Sequence, residues 1–285
     1  MPLSFPTVLV RLLGYPLAMV LAVACATPSP STPTTPVSLR YSRPLTDTLR
    51  YREISLGSVV VVTRQGPASL ESRHEAQLAL QFLPADTVKA WYESLALSFR
   101  TTGANITPDV SAVLGKPFVL TLDDRGLVER LSAPEFPAAL EGLTDLRQQF
   151  SDFFVVLPVT LVARGVEWTD TVVNKATSAR GQSTFTNISR NRVVGDSTID
   201  GRSVVVIATT QSITIDSEIR APGSDTPFLS TLAGLDSGRA FFAPTEGLFV
   251  GRRRRGSLRG HLRSPADTAA IEQTYTYDNA ITLTP

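Results

Sequence analysis

Near the C-terminus, Ile271, Gln273, Tyr275, Tyr277, Asn279, Ile281 and Leu283 share one side of an extended chain, and Glu272, Thr274, Thr276, Asp278, Ala280 and Thr282 share the other. Successive side chains alternate across a strand. This period of two therefore describes a strand with one face on a core and the other in water. "EAQLALQFL" repeats it, with Ala76, Leu78, Leu80 and Phe82 against Glu75, Gln77 and Gln81. "WYESLALSF" sets Trp91, Leu95, Leu97 and Phe99 against Tyr92, Ser94, Ala96 and Ser98, and that Ser-rich second face favours a strand over a helix across 87–99. Further strands are expected at 49–63, 117–122, 126–131, 167–174, 183–194, 203–219, 238–243 and 247–263. Asp124-Arg125-Gly126, Gly195-Asp196, Asp200-Gly201 and Glu246-Gly247 supply hairpin chemistry between them. The expected fold is mainly β (α+β), one or two curved antiparallel sheets.

One helix is expected on that sheet. In "SAPEFPAALEGLTDLRQQFSDFF", Ser132 stands three residues before Glu135, a capping-box spacing. Leu140, Leu143, Leu146, Phe150 and Phe153 then recur at helical spacing opposite Glu141, Asp145, Gln148, Gln149 and Asp152. A helix over 138–153 would lay this stripe on a sheet face. A chain of 285 residues holds one large β domain or two smaller ones. If two, the helix divides 45–135 from 160–285.

The N-terminal region reads differently. Residues 1–24 carry one charge, Arg11, and then the apolar run "LLGYPLAMVLAVA" at 12–24. A spanning helix needs about 20 apolar residues, so this run has the length of a signal-peptide core. Cys25 is the only cysteine of the chain, and Ala22, Val23 and Ala24 lead into it. The arrangement resembles the lipobox of bacterial lipoproteins, with Ala22 where Leu is most usual. That resemblance implies cleavage before Cys25 and its acylation by a diacylglycerol and an amide-linked chain such as palmitate. Several acyl chains anchor a protein stably where one does not. Ala26 stands where an Asp would signal inner-membrane retention, so the resemblance implies the periplasmic face of an outer membrane. Residues 25–44 would form a stalk, since Pro28, Pro30, Pro33, Pro36 and Pro44 among Ser and Thr favour extended chain. The body would be 45–285.

The charge balance narrows the partners. Of 27 Lys and Arg, Arg11 lies in the signal segment, leaving the rest to match 26 Asp and Glu. A neutral body lacks the basic excess that nucleic acid requires. "GRRRRGSLRGHLR" at 251–263 is the basic exception. In a strand, Arg253, Arg255, Arg259, His261 and Arg263 take the solvated face. Arg252 and Arg254 then point with Leu248, Val250, Leu258 and Leu262, and must lie at a rim or pair with acids, because an unpaired buried charge is costly. The two histidines, His74 and His261, have no partners at metal-ligand spacing. No P-loop, dinucleotide fingerprint or nucleophile elbow is present, so neither an enzyme nor a cofactor is expected.

"VVLPVTLVARGVEWTDTV", with Leu157-Pro158, Gly165 and Trp168, and "IDGRSVVVIA" are similar to stretches in a loosely defined group of uncharacterised bacterial envelope lipoproteins, over about residues 45–283. That resemblance implies a concave antiparallel sheet like the half-barrel of lipoprotein carriers, and brings no catalytic residues. The expected function is binding of an apolar ligand or lipidated partner in the concavity, lined by Trp91, Leu95, Leu97, Phe99, Leu143, Phe150 and Phe153. The alternative is a non-catalytic structural or interaction module of an envelope complex.

Overall fold

Alternating sequence becomes one antiparallel sheet. The computed structural model describes residues 36–42, 48–63, 66–136, 146, 149–178, 181–220, 227–263 and 270–285. Its strands are β1 (Leu49–Thr63), β2 (Gly66–Phe82), β3 (Thr87–Thr101), β4 (Asn105–Ile106), β5 (Phe118–Leu122), β6 (Val128–Ser132), β7 (Glu167–Ser178), β8 (Gly181–Ile199), β9 (Arg202–Arg220), β10 (Pro227–Ala243), β11 (Leu248–Arg263) and β12 (Ala270–Thr284). The sheet runs β6-β5-β3-β2-β1-β12-β11-β10-β9-β8-β7, with β4 beside β3. Two meanders, β1–β6 and β7–β12, are thus joined by the pairing of the first strand with the last, from Arg50 opposite Thr284 to Val62 opposite Glu272. The expected halves share a single sheet. It stays open, with β6 and β7 at its ends.

The Asp200-Gly201 turn forms as expected, with both residues at positive φ, 48° and 79°, as a two-residue hairpin turn demands. Gly195-Asp196 does not turn. β8 runs through it with a bulge, Val193 facing Ile207 while Gly195 faces Val206. A second bulge changes the face assignment in β3. Gln77 pairs with Ser94 and Leu78 with Tyr92, so Glu93 is an extra residue and the alternation inverts there. Tyr92 consequently points inward, fully buried, with Leu95, Leu97 and Phe99. Trp91 turns to the opposite face and stays outside the core cluster.

No α-helix occurs among the described residues. Most of the expected helix, 138–145 and 147–148, lies outside them. Its last part, 149–152, is turn, and 155–158 run without regular structure. Phe150, Phe153 and Phe154 reach the core from this turn, so an apolar spacing suited to a helix is satisfied by an irregular segment wedged against a sheet. The expected stalk is also shorter. Leu39 is fully buried, and Tyr41 packs edge-on against Phe154 and Phe242 at 5.5 and 5.1 Å. Residues 37–42 therefore belong to the body.

Candidate functional site

The inner face of the sheet has three parts, and the first is closed. The segment 149–166 crosses it, filling it with aromatic rings. Phe153 sits 5.3 Å from Tyr51, 5.0 Å from Phe154 and 5.8 Å from Phe249, and Phe150 lies 5.1 Å from Phe118. Such edge-on contacts favour the quadrupoles of both rings. Backbone polar groups of the segment are met from the sheet and the N-terminal residues. Trp168 Nε1 donates to Val156 O at 2.8 Å, and Tyr41 Oη donates to Val155 O at 2.9 Å. Of the residues expected to line a concavity, Leu95, Leu97, Phe99, Phe150 and Phe153 come together here as packed core. Trp91 does not join them, and Leu143 and Cys25 lie outside the described residues.

The second part is a belt of buried polar groups. Arg252 and Arg254 project inward from β11, as the alternation required, with side chains 8% and 11% exposed. They do not lie at a rim, and the acids they require come from elsewhere in the chain. Asp152, on the crossing segment, takes Arg254 Nη2 at 2.7 Å and Arg252 Nη2 at 3.4 Å, and its backbone carbonyl accepts from Arg252 Nη1. Arg254 Nη1 donates to Gln211 at 2.9 Å, and Asp236 lies 3.8 Å from Arg254 Nε. Tyr277 on β12 reaches Asp236 on β10 at 2.6 Å across Gly256, the in-register residue between them. A Cβ on Gly256 would stand 2.5 Å from the Tyr277 ring, so the missing side chain makes the bond possible. Beside this cluster, Glu53 accepts from Asn279 Nδ2 at 2.8 Å and from Gln149 of the crossing segment.

These contacts set the titration behaviour. Burial alone would raise the Asp152 carboxyl, but Arg254 and Arg252 outweigh it and hold it well below the usual carboxylate range. Asp236 is pushed up by burial, against the pull of Arg254. Burial raises the Tyr277 phenol and lowers His74, which Glu53 only partly opposes. Buried polar atoms without a hydrogen-bond partner concentrate in and around this belt: Arg252 Nε, Arg254 Nε, Asp236 Oδ1, Asn279 Oδ1, Asn187 Oδ1 and His74 Nε2. A cavity of about 70 Å³ adjoins it, between the belt and Phe154, Val155 and Val156, reaching Val128 of β6 and Val172 of β7. Its size and polar wall suit a few water molecules better than an apolar ligand.

The third part is the continuation of the same strands beyond the belt. Ile215, Leu232, Val61 and Leu262 follow Gln211, Asp236, Gly57 and Leu258 on the inward-facing alternation of β9, β10, β1 and β11. They are half-buried and belong to neither packed cluster. The opposite face of these strands carries Asp216, Thr231 and Arg259, together with the exposed Val62, Leu229 and Leu235. A larger hollow of about 840 Å³ lies mainly on the outer side of β1–β3 and β12. Its charges are already matched, Arg100 with Glu71 and Arg255 with Asp278.

Among the described residues, no group of three or more His, Cys, Asp and Glu is placed to hold a metal ion, and no helix is long and apolar enough to cross a membrane. No protein-family model matches the sequence, and no curated protein matches it. Among solved structures, the chain is similar to OmpT, an outer membrane protein of Vibrio cholerae, at 8% identity and a TM-score of 0.17, over 82% of this chain and 96% of that one. An overlap at that TM-score does not establish a shared fold.

Removing one partner of a buried ion pair strands the other. Asp152→Ala should therefore cost on the order of 3 kcal/mol, read as a lower urea midpoint. Adding Arg252→Met and Arg254→Met to Asp152→Leu should recover much of it. His74 makes a second, pH-dependent contribution. Its folded pKa is depressed, so the unfolded chain binds the extra proton first. Stability should be full above about pH 6.5, and should fall as pH drops through that value toward the folded pKa. In His74→Gln, urea midpoints measured between pH 7 and 5 should lose this part of the decline.

Proposed function

We propose that this is a lipid-anchored protein of the cell envelope, tethered through an acylated Cys25 at the periplasmic face of the outer membrane. It binds an apolar ligand, an acyl chain of a lipid or of a lipidated partner, on the open part of the inner sheet face. One observation carries the reading. Ile215, Leu232, Val61 and Leu262 line the inward side beyond the polar belt without joining a packed cluster. The outward side is polar on β9 and β11, with Thr214, Asp216, Ser257 and Arg259, and exposes Val62 on β1 and Leu229 and Leu235 on β10. A sheet with no use for an apolar inner face would end its apolar alternation where its core ends. The ligand site therefore differs from the one expected at Leu95, Leu97, Phe99, Phe150 and Phe153, where the chain's own aromatic rings occupy the concavity. The belt forms the floor between the two.

A specific observation also favours the alternative, a non-catalytic interaction module. On the outer face, Ile188 and Leu235 flank Ser212 in register and are 46% and 63% exposed. The two readings separate by titrating a fluorescent long-chain fatty acid into the full chain. Ligand binding predicts saturable fluorescence. Ile215→Glu with Leu232→Glu should weaken it at least tenfold, while circular dichroism and Tm stay near those of the parent. Leu235→Glu on the outer face should leave it unchanged. Saturation that the inner-face substitutions do not weaken, or no saturation at all, would remove the ligand reading and leave the interaction module.

A further inference from the structure

The point where the chain enters the body carries an exposed apolar tip. Val37 and Val162 exchange backbone hydrogen bonds, 2.8 Å from Val37 N–H to Val162 O and 2.9 Å in return. Just before that bridge, Val159 and Leu161 are 66% and 61% exposed, while Leu157 and Val162 are fully buried. The core thus grips the loop at both ends and leaves two large apolar side chains outside it. Arg40 fixes the loop backbone. Its Nη1 donates to Pro158 O at 2.5 Å and its Nη2 to Val159 O at 2.7 Å, while its Nε pairs with Asp124 at 3.2 Å. The carbonyls of Pro158 and Val159 are therefore satisfied from within the protein, which lowers the cost of placing this part of the backbone in an apolar medium. Arg164, exposed three residues beyond Leu161, adds a positive charge at its margin.

The tether decides what this tip meets. Only residues 26–36 separate Cys25 from Val37. Fully extended, such a chain reaches about 35–40 Å, at roughly 3.3–3.6 Å per residue, which sets the upper limit on the distance of the bridge from the anchor. An acylated Cys25 therefore holds the Val37–Val162 bridge near the bilayer, and the tip lies directly beside that bridge. We propose that Val159 and Leu161 insert into the lipid surface as a second membrane contact beside the acyl anchor, with Arg164 at the headgroup level. This rests on the reading of Cys25 as the lipidated residue.

The test uses the lipidated full-length mature chain in phosphatidylcholine–phosphatidylglycerol vesicles containing a spin-labelled quencher lipid. Acylation occupies the only native cysteine, so Val159→Cys carries the one free thiol and takes a polarity-sensitive fluorophore. Leu235→Cys, in the middle of β10, gives the comparison. The expected result is at least twofold stronger quenching at 159 than at 235, reduced when Leu161→Asp is added. A chain that sediments with the vesicles but shows equal quenching at both positions overturns the insertion while leaving the anchor standing. A chain that does not sediment with them overturns the anchor, and the insertion with it.

Discussion

The pairing of β1 with β12 is the constraint on which the rest of the molecule depends. Because the first and last strands meet in the middle of the sheet, both free edges are pushed to the outside, one at β6 and one at β7. The residues between those edges must then connect β6 to β7, whose inner sides share one cavity wall at Val128 and Val172. They cross the inner face, bringing Phe150, Phe153, Phe154 and Leu157 into the core and Asp152 onto Arg252 and Arg254. The contacts that close the core thus join residues about one hundred positions apart, as Asp152 and Arg252 are. Non-local pairing of this kind makes folding slow relative to helical proteins of similar size.

The buried ion cluster follows from that crossing. Two guanidinium groups inside a sheet are costly on their own, and a well-packed apolar substitute is often as stable. What the charges add is position. Asp152 meets the arginines in one place only, so the crossing segment is held in a single register over the inner face. The row from Tyr277 over Gly256 to Asp236 has the same character, since a side chain at Gly256 would occupy the space of the phenol ring. Together these contacts divide the inner face into a filled end and an open one. The proposed ligand site is what remains beyond the division.

Much of this was legible in the sequence, for reasons that can be named. The alternation in β12 and β11 placed Asn279, Ile281 and Leu283 inward and sent Arg253 and Arg255 to solvent, where both pair with Asp278. It also required that Arg252 and Arg254 lie at a rim or pair with acids, and the structure shows the second. That Asp152 would be one of them was not legible, because its place depends on the β1–β12 pairing. Bulges hide in the same way. One extra residue at Glu93 exchanges Trp91 for Tyr92 in the core, and a bulge at Val194 carries β8 through a glycine–aspartate pair that reads as a turn. Val37–Ser42 look like stalk until Val162, Asp124 and Gly247 supply hydrogen-bond partners. Ile215 falls within the expected strand 203–219, but Leu232 lies before the expected start of the next strand at 238, and alternation does not say where a core stops.

The most direct measurement of the central claim is native mass spectrometry of the full-length lipidated chain, released gently from the membranes in which it is made. The account predicts a bound apolar species on the folded protein, at up to one per chain, that is lost from the Ile215→Glu, Leu232→Glu variant while the protein's charge-state distribution stays compact. A parent chain that carries no adduct under conditions preserving its fold, or an adduct that survives those two substitutions, would contradict it.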